Sequence, residues 1–334
     1  VSTSVPALMR LQDEGKFRPD MTLGELYPKF RKSNKAGLKM VDILTHQSGL
    51  KAWIPFWRDA VDSANGGWKR RTFSDHRSAR YPVEVADNLF LHRRYRRVIY
   101  RQIRDSPVKP KQGYVYSDLS FYLYPEVIKR LEGKEWEEWL KETFYRPLGA
   151  GTLTYNARRS YPLARIVPTE YDSLFRKTLI HGRVHDEGGA MLDGISGHAG
   201  LFGTANDLAK LYQMYLNGGS YGGQQFIQQK TLNQWTSYPF PVEVNSRRGV
   251  GFDKPDRKKP GLSGPPSASA QAFGHSGFTG TFVWVDPAQQ LLYIFLCNRV
   301  YPTRENGKIT QLNTRTQFGE VIYEAIRKSK GVAF

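Results

Sequence analysis

Thr279-Gly280-Thr281-Phe282-Val283-Trp284-Val285, followed by Asp286-Pro287-Ala288-Gln289-Gln290 and then Leu291 to Val300, reads as two apolar strands joined through a polar turn. Lys254 to Ala270, just before, is Pro/Gly/Ser-rich loop, and Gln317 to Ile326, just after, has helical spacing. Upstream of about residue 240 the period changes. From Ile43 to about Tyr215 the pattern is helical with Gly and Pro punctuation, interrupted by a long charged and aromatic insertion between Trp53 and Gly113. Leu119 to Leu131 predicts a helix that Ser117 or Asp118 can cap and Gly133 ends; Glu135 to Phe144 predicts another, stopped by Arg146-Pro147-Leu148-Gly149. Thr204-Ala205-Asn206-Asp207 resembles a capping box with aspartate in the glutamate position, and Gly218-Gly219 closes the helix it opens. The first helix has Val5, Leu8, Met9 and Leu11 on one face and ends at Gly15; Ser2, Thr3 or Ser4 can start it, with Pro6 in the first turn. The layout is an α/β (α+β) one: a helical block, an antiparallel hairpin and a terminal helix.

The chain has 334 residues, 40% hydrophobic and 13% aromatic, enough for one large domain or two modest ones. Lys+Arg 49 against Asp+Glu 31 gives a net charge of +18, clustered at Arg31-Lys32, Lys69-Arg70-Arg71, Arg93-Arg94-Tyr95-Arg96-Arg97 and Arg257-Lys258-Lys259. A surplus of that size suits a polyanionic neighbour such as an acidic envelope polymer. Arg93 to Arg104 interleaves its arginines with Tyr95, Val98, Ile99, Tyr100 and Ile103, the pattern of a helix with one apolar and one cationic face. No zinc-finger spacing, recognition helix or aromatic ribonucleoprotein motif accompanies the charge, so the reading is no nucleic acid. The one cysteine, Cys297, lies in an apolar run and reads as a small core residue. No run of about 18 apolar residues predicts a membrane span, and the first residues lack the pattern of an export signal.

Five segments carry a resemblance. They are Val41-Asp42-Ile43-Leu44-Thr45-His46-Gln47-Ser48-Gly49-Leu50, Tyr116-Ser117-Asp118, Arg146-Pro147-Leu148-Gly149, Gly197-His198-Ala199-Gly200-Leu201-Phe202-Gly203-Thr204-Ala205-Asn206-Asp207-Leu208, and Gly274-His275-Ser276-Gly277-Phe278-Thr279-Gly280. In that order, over nearly the whole chain, they resemble the beta-lactamase and penicillin-binding-protein-like serine hydrolases, in the branch of esterases and D-aminopeptidases. The insertion and His185-Asp186-Glu187 are similar to a subgroup found beside family 3 glycoside hydrolases in envelope proteins, which would make such a domain an upstream neighbour. The resemblance implies a transpeptidase-like fold, with an antiparallel sheet flanked by helices plus a mostly helical domain. It places 1–40 and 240–334 in the sheet domain and 41–239, with insertion 54–113, in the helical one. It also implies that the family's first strands are missing from this chain, which would leave the hairpin short of neighbours.

Members of that family work through three motifs around one cleft: Ser-x-x-Lys, Tyr-x-Asn, and Lys-Thr-Gly or His-x-Gly. By resemblance the second is Tyr116-Ser117-Asp118, with Tyr116 as general base or proton relay, Asp118 where asparagine is commoner, and Ser117 beside substrate. A phenol starts near pKa ~10 and needs a nearby cation to act as a base at neutral pH. The third motif is His275-Ser276-Gly277. His275 relays protons or binds a carboxylate, Ser276 and Gly277 line the substrate, and the Phe278 N–H supplies half of an oxyanion hole. These assignments favour acyl-enzyme chemistry on a peptide, amide or ester, of peptidoglycan origin in the narrower reading, without metal or organic cofactor, at the periplasm or cell envelope.

The first motif is the gap. One Ser-x-x-Lys string, Ser106-Pro107-Val108-Lys109, lies in a Pro-rich stretch unfit for a helix start. The resemblance places the nucleophile a few residues before Val1, and predicts that the chain without it is inactive. Two alternatives stand beside this reading. One is a non-catalytic domain that binds peptides or cell-wall material; the other is a zinc hydrolase using His181 and His185, four residues apart.

Overall fold

In the computed structural model, residues 1–331 are described except 63, 65, 111 and 112. The first helix, Ser4–Asp13, is buried along most of its length. Val5, Ala7, Leu8, Met9 and Leu11 are all buried, so apolar neighbours surround it on more sides than the predicted stripe requires. No side chain caps its start; the hydroxyls of Thr3 and Ser4 donate instead to Gly197 O, at 3.3 and 2.7 Å. Its far end organises a second helix, Gln229–Thr236. The Asp13 carboxylate accepts from Gln228 N at 2.7 Å and Thr231 Oγ1 at 2.5 Å, and Gln12 accepts from Trp235 Nε1 at 2.7 Å. An acid at a helix N-terminus satisfies donors that the helix leaves open.

The sheet has three antiparallel strands in chain order: Phe273–Ser276, Phe282–Asp286 and Leu291–Phe295, with His275 opposite Val283 and Trp284 opposite Tyr293. Both strands of the predicted hairpin are present but shorter. Thr279 and Gly280 belong to a tight turn, in which Gly277 N donates to Thr281 O and Gly280 N to Gly277 O. Beyond Phe295 the chain leaves the ladder, and Arg299 N bonds back to Thr279 O at 2.9 Å. Cys297 is half-buried, its thiol directed at Gly280 O within this corner rather than at the core. The terminal helix, Thr314–Ser329, lies over the sheet, where Ala272, Phe282, Trp284, Tyr293 and Tyr323 form a small second core. Each such aromatic contributes about 1.5–3 kcal/mol through burial. Asp286, buried beneath, accepts from Ser269 N and Oγ, Ala288 N and the Tyr323 hydroxyl.

The predicted helical block is less uniform than its periodicity suggests. The helices Trp136–Leu140 and Ala205–Leu216 form where expected, whereas the one predicted from Leu119 begins at Tyr124, runs to Glu132 without a side-chain cap from Ser117 or Asp118, and ends at Gly133 with a left-handed φ of 68°. Thr204 accepts from Asp207 N, but Asp207 turns its carboxylate to Thr152 and Lys210 instead of returning to Thr204, so the capping box is half made. Between the helices lie a hairpin, Pro168–Asp172 with Thr178–His181, and the insertion. The insertion folds as a small sheet, Phe73–Ser74, Leu89–Leu91 and Val83–Ala86, followed by the helix Tyr95–Asp105. That helix turns Ile99 and Ile103 inward, as the sequence pattern requires. Lys35, fully buried, donates to Arg104 O and Ser106 O at the helix's C-terminal end, where a cation is favoured. Burial pulls its amine down to about 8. No helix among the described residues is long and apolar enough to cross a membrane.

Candidate active site

Three segments converge on one cleft. The first is the turn after the helix Met40–Leu44, where His46 takes a left-handed φ of 60°. That backbone is costly for a residue other than glycine, and three bonds hold it. His46 N donates to Ile43 O, His46 O accepts from Val115 N, and His46 Nδ1 accepts from Ser117 N at 3.2 Å. Because Nδ1 accepts, the neutral ring carries its proton on Nε2, which is buried without a partner. Burial first, then the charges of Arg248, His275 and Arg247, keep this imidazole neutral. Its ring lies 4.4 Å from that of Tyr116 and meets Tyr114 edge-on at 5.8 Å.

The second segment is Tyr116-Ser117-Asp118. Ser117 is buried; its hydroxyl donates to Lys51 O at 2.7 Å and accepts from Leu119 N. The expectation that Ser117 lies beside substrate is therefore corrected: its side chain fixes the loop, and it is the flanking residues that face outward. Tyr116 is 41% exposed, with its hydroxyl turned toward Asp118. Burial of the hydroxyl and the Asp118 charge push the phenol well above its ordinary value, while Arg248 opposes them. Burial and Asp186 raise Asp118, against the opposing charge of His198.

The third segment is the strand Phe273–Ser276 with the turn after it. The His275 ring lies 6.2 Å from that of Tyr116, so residues far apart in the chain face each other across the cleft. His275 Nδ1 donates to Ser276 O at 2.8 Å, which leaves Nε2 as the acceptor. Burial and Arg248 lower it to about 4, against the pull of Asp253, so the ring is neutral at physiological pH. Ser276 is exposed. Gly277 is needed for space, since a Cβ there would come within 2.2 Å of Thr281 Oγ1. Phe278 projects into solvent between His185, 5.6 Å away, and the Arg299 guanidinium at 4.5 Å. No acceptor among the described residues takes its N–H.

Several residues of the site went unmarked by sequence reasoning. Asp253 pairs its backbone with Gly274 behind the histidine strand and takes Arg248 Nη1 at 2.6 Å. Arg248 is buried, with Nε and Nη2 unpartnered. Beneath Asp118, His198 stacks on Tyr122 at 3.9 Å, bonds Asp186 through Nε2 at 2.8 Å and Ser196 through Nδ1 at 2.8 Å. His198 stood in a quoted motif, but nothing in the sequence says that Asp186 is its partner.

The other candidates fall outside the cleft's chemistry. Ser106 ends the helix Tyr95–Asp105, its hydroxyl buried and donating to Ile103 O, while Lys109 points to solvent. His181 Nε2 bonds Ile166 O at 2.6 Å and His185 Nε2 bonds Glu170 at 2.5 Å, so the two histidines have separate partners. Among the described residues no three His, Cys, Asp or Glu side chains gather as a metal site.

The chain is 27% identical over 317 residues to the "Putative D-alanyl-D-alanine carboxypeptidase" of Escherichia coli, covering 88% of this chain and 65% of that protein. It is 28% identical over 313 residues to the N-acetylmuramyl-L-alanine amidase of Bacillus subtilis, covering 88% of this chain and 64% of that protein. The chain thus spans slightly under two thirds of the length of these curated relatives. Among solved structures, the simvastatin synthase of Aspergillus terreus superposes with a TM-score of 0.61 at 17% identity, covering 96% of this chain and 82% of that one. A penicillin-binding protein homologue from Caulobacter crescentus does so at 0.55 and 20% identity, covering 89% and 76%. The Beta-lactamase family model matches residues 3–316, nearly the whole chain, and this shows that the chain belongs to the beta-lactamase family.

Proposed function

We propose that this chain forms the substrate cleft of a serine hydrolase that cleaves an amide or ester by way of an acyl-enzyme, on a peptide derived from the cell wall. The observation that carries the reading is the pairing of Tyr116 and His275 across the cleft, ring centroids 6.2 Å apart. A hydroxyl entering between them meets a phenol and a neutral imidazole with an open Nε2. Proton transfer by such positioned groups contributes about 10²–10⁴-fold. The Phe278 N–H is open to an oxyanion. Tyr116 is a neutral phenol, so it acts as a relay unless a cation joins it.

The nucleophile is assigned to a serine preceding Val1 in the whole protein. The Ser106 hydroxyl is buried and donates to Ile103 O, which removes it as a candidate nucleophile and supports this. The names of the relatives, a carboxypeptidase and an amidase, support the substrate class and a place in the cell envelope. The test is covalent labelling of the full-length protein with a fluorescent penicillin or an alkyl phosphonate. Labelling that Tyr116→Phe slows supports the reading. A folded full-length protein inert to both probes overturns it in favour of a non-catalytic binding domain.

A further inference from the structure

The insertion 54–113 carries fourteen Lys and Arg against six Asp and Glu, and its fold separates the two signs. Glu84 and Asp87 turn to the body of the molecule and meet Arg183, with Arg158 also on Asp87. Asp59 accepts from Gln102, Asp62 from Ala64 N, Asp105 pairs with Arg104, and Asp75 sits beside His76. The basic residues gather elsewhere. His92 N donates to Thr72 O and Arg93 N to Arg80 O, both at 2.9 Å, which draws Lys69-Arg70-Arg71, Arg80 and Arg93-Arg94 to one corner of the small sheet. Arg94, Arg80 and Arg93 all act on the His92 imidazole, which burial and their charges together lower. All six basic side chains are exposed, and none has an ion-pair partner among the described residues.

Like charges held together repel, and folding alone gains nothing from this arrangement. The scaffold nevertheless holds it firmly. Trp68 and Phe73 pack with Phe175 at 5.6 and 6.1 Å, and Tyr95 donates to Phe56 O at 3.1 Å. We infer that this corner is a docking surface for a linear phosphate-bearing polymer that carries no bases. Arginine forks, which predominate here, match phosphate oxygens in pairs. The exposed large apolar side chains of the molecule include none from 69 to 104, so the corner has neither an anchor for a bilayer nor a platform on which bases stack. The inference is independent of the acyl chemistry.

The test is binding of the chain to long-chain inorganic polyphosphate, measured by fluorescence anisotropy across a salt series, with duplex DNA and phosphatidylglycerol vesicles as competing arms. Polyphosphate binds most tightly, with an affinity that falls linearly on a log–log salt plot. The variant Arg70→Glu/Arg80→Glu/Arg93→Glu/Arg94→Glu binds about 100-fold more weakly at low salt. The control Lys230→Glu/Lys258→Glu/Lys259→Glu/Lys308→Glu, with the same loss of net charge on other exposed positions, stays within a few fold of the parent. Circular dichroism melts check that both variants are folded, and a version of the first with Gln in place of Glu repeats the loss more mildly. Equal loss in both charge-reversed variants, no loss in the first, or tighter binding to DNA or vesicles than to polyphosphate would each overturn the inference.

Discussion

The cleft and the polar network beneath it use the same kinds of residue to opposite ends. In the network every polar atom has a partner: Asp186 takes His198 Nε2 and Gly189 N, the Tyr122 hydroxyl points at it from 3.4 Å, and Ser196 Oγ meets His198 Nδ1. At the cleft, polar atoms lack partners: His46 Nε2 and Arg248 Nε and Nη2 are buried without one, and no acceptor among the described residues takes the Phe278 N–H. Unmet hydrogen-bonding capacity is unfavourable for folding and is what a substrate needs. The network also reaches both sides of the site. Gly197, between Ser196 and His198, accepts from Thr3 and Ser4 at the head of the first helix, while the His198 and Asp186 charges act on Asp118.

The sharpest test of this contrast is Asp186→Ala. It leaves His198 buried without its counter-charge, and urea unfolding should show a loss of about 3–5 kcal/mol. A loss below 1 kcal/mol would mean that the network is not the stabilising half of the pair. Tyr116→Phe should behave in reverse, slowing acylation of the full-length protein about 100-fold while stability stays within about 0.5 kcal/mol. Gly277→Ala lies between, since its methyl would collide with Thr281 Oγ1; a cost of about 1–2 kcal/mol is expected. Thr281→Ala in the same chain should recover much of that cost, and no recovery would show that the strain lies elsewhere in the turn.

The smallest effect is in pH dependence. His275 is depressed to about 4, so the unfolded chain binds the extra proton first; stability from this group is complete above about 6.5 and is lost as pH falls toward 4. His198 has the opposite sign. Burial alone would lower it, but Asp186 raises it, so its contribution is complete below about 6.5 and is lost as pH rises through the raised value. Denaturant midpoints across pH should therefore show two shallow slopes, with His275→Gln flattening the acid one and His198→Gln the alkaline one. A single slope that both substitutions change would merge what the geometry separates.

What could be read in the chain was local or carried by short motifs. The apolar spacing of Val5, Leu8 and Leu11, the glycine at 133 and the paired apolar runs around Asp286 placed the first helix, a helix end and the hairpin, because 3.6- and 2-residue periods follow from backbone geometry. The motif residues Tyr116, Asp118 and His275 were legible as candidates. Strand Phe273–Ser276 was not legible from periodicity, since Gly-His-Ser has no apolar alternation; its ladder with Phe282–Asp286 makes it a strand. The insertion's small sheet was missed for a similar reason, as its strands run for two to four residues.

By itself, then, the sequence determined which segments could be helix or strand and which side chains could do acyl chemistry. Tertiary structure alone decided that Ser117 turns inward, that Asp186 partners His198, and that Arg248 and Asp253 stand behind His275. The physical reason is range. Backbone preference acts over a few residues, whereas the field that tunes a phenol or an imidazole comes from charges a few ångströms away in space and anywhere along the chain.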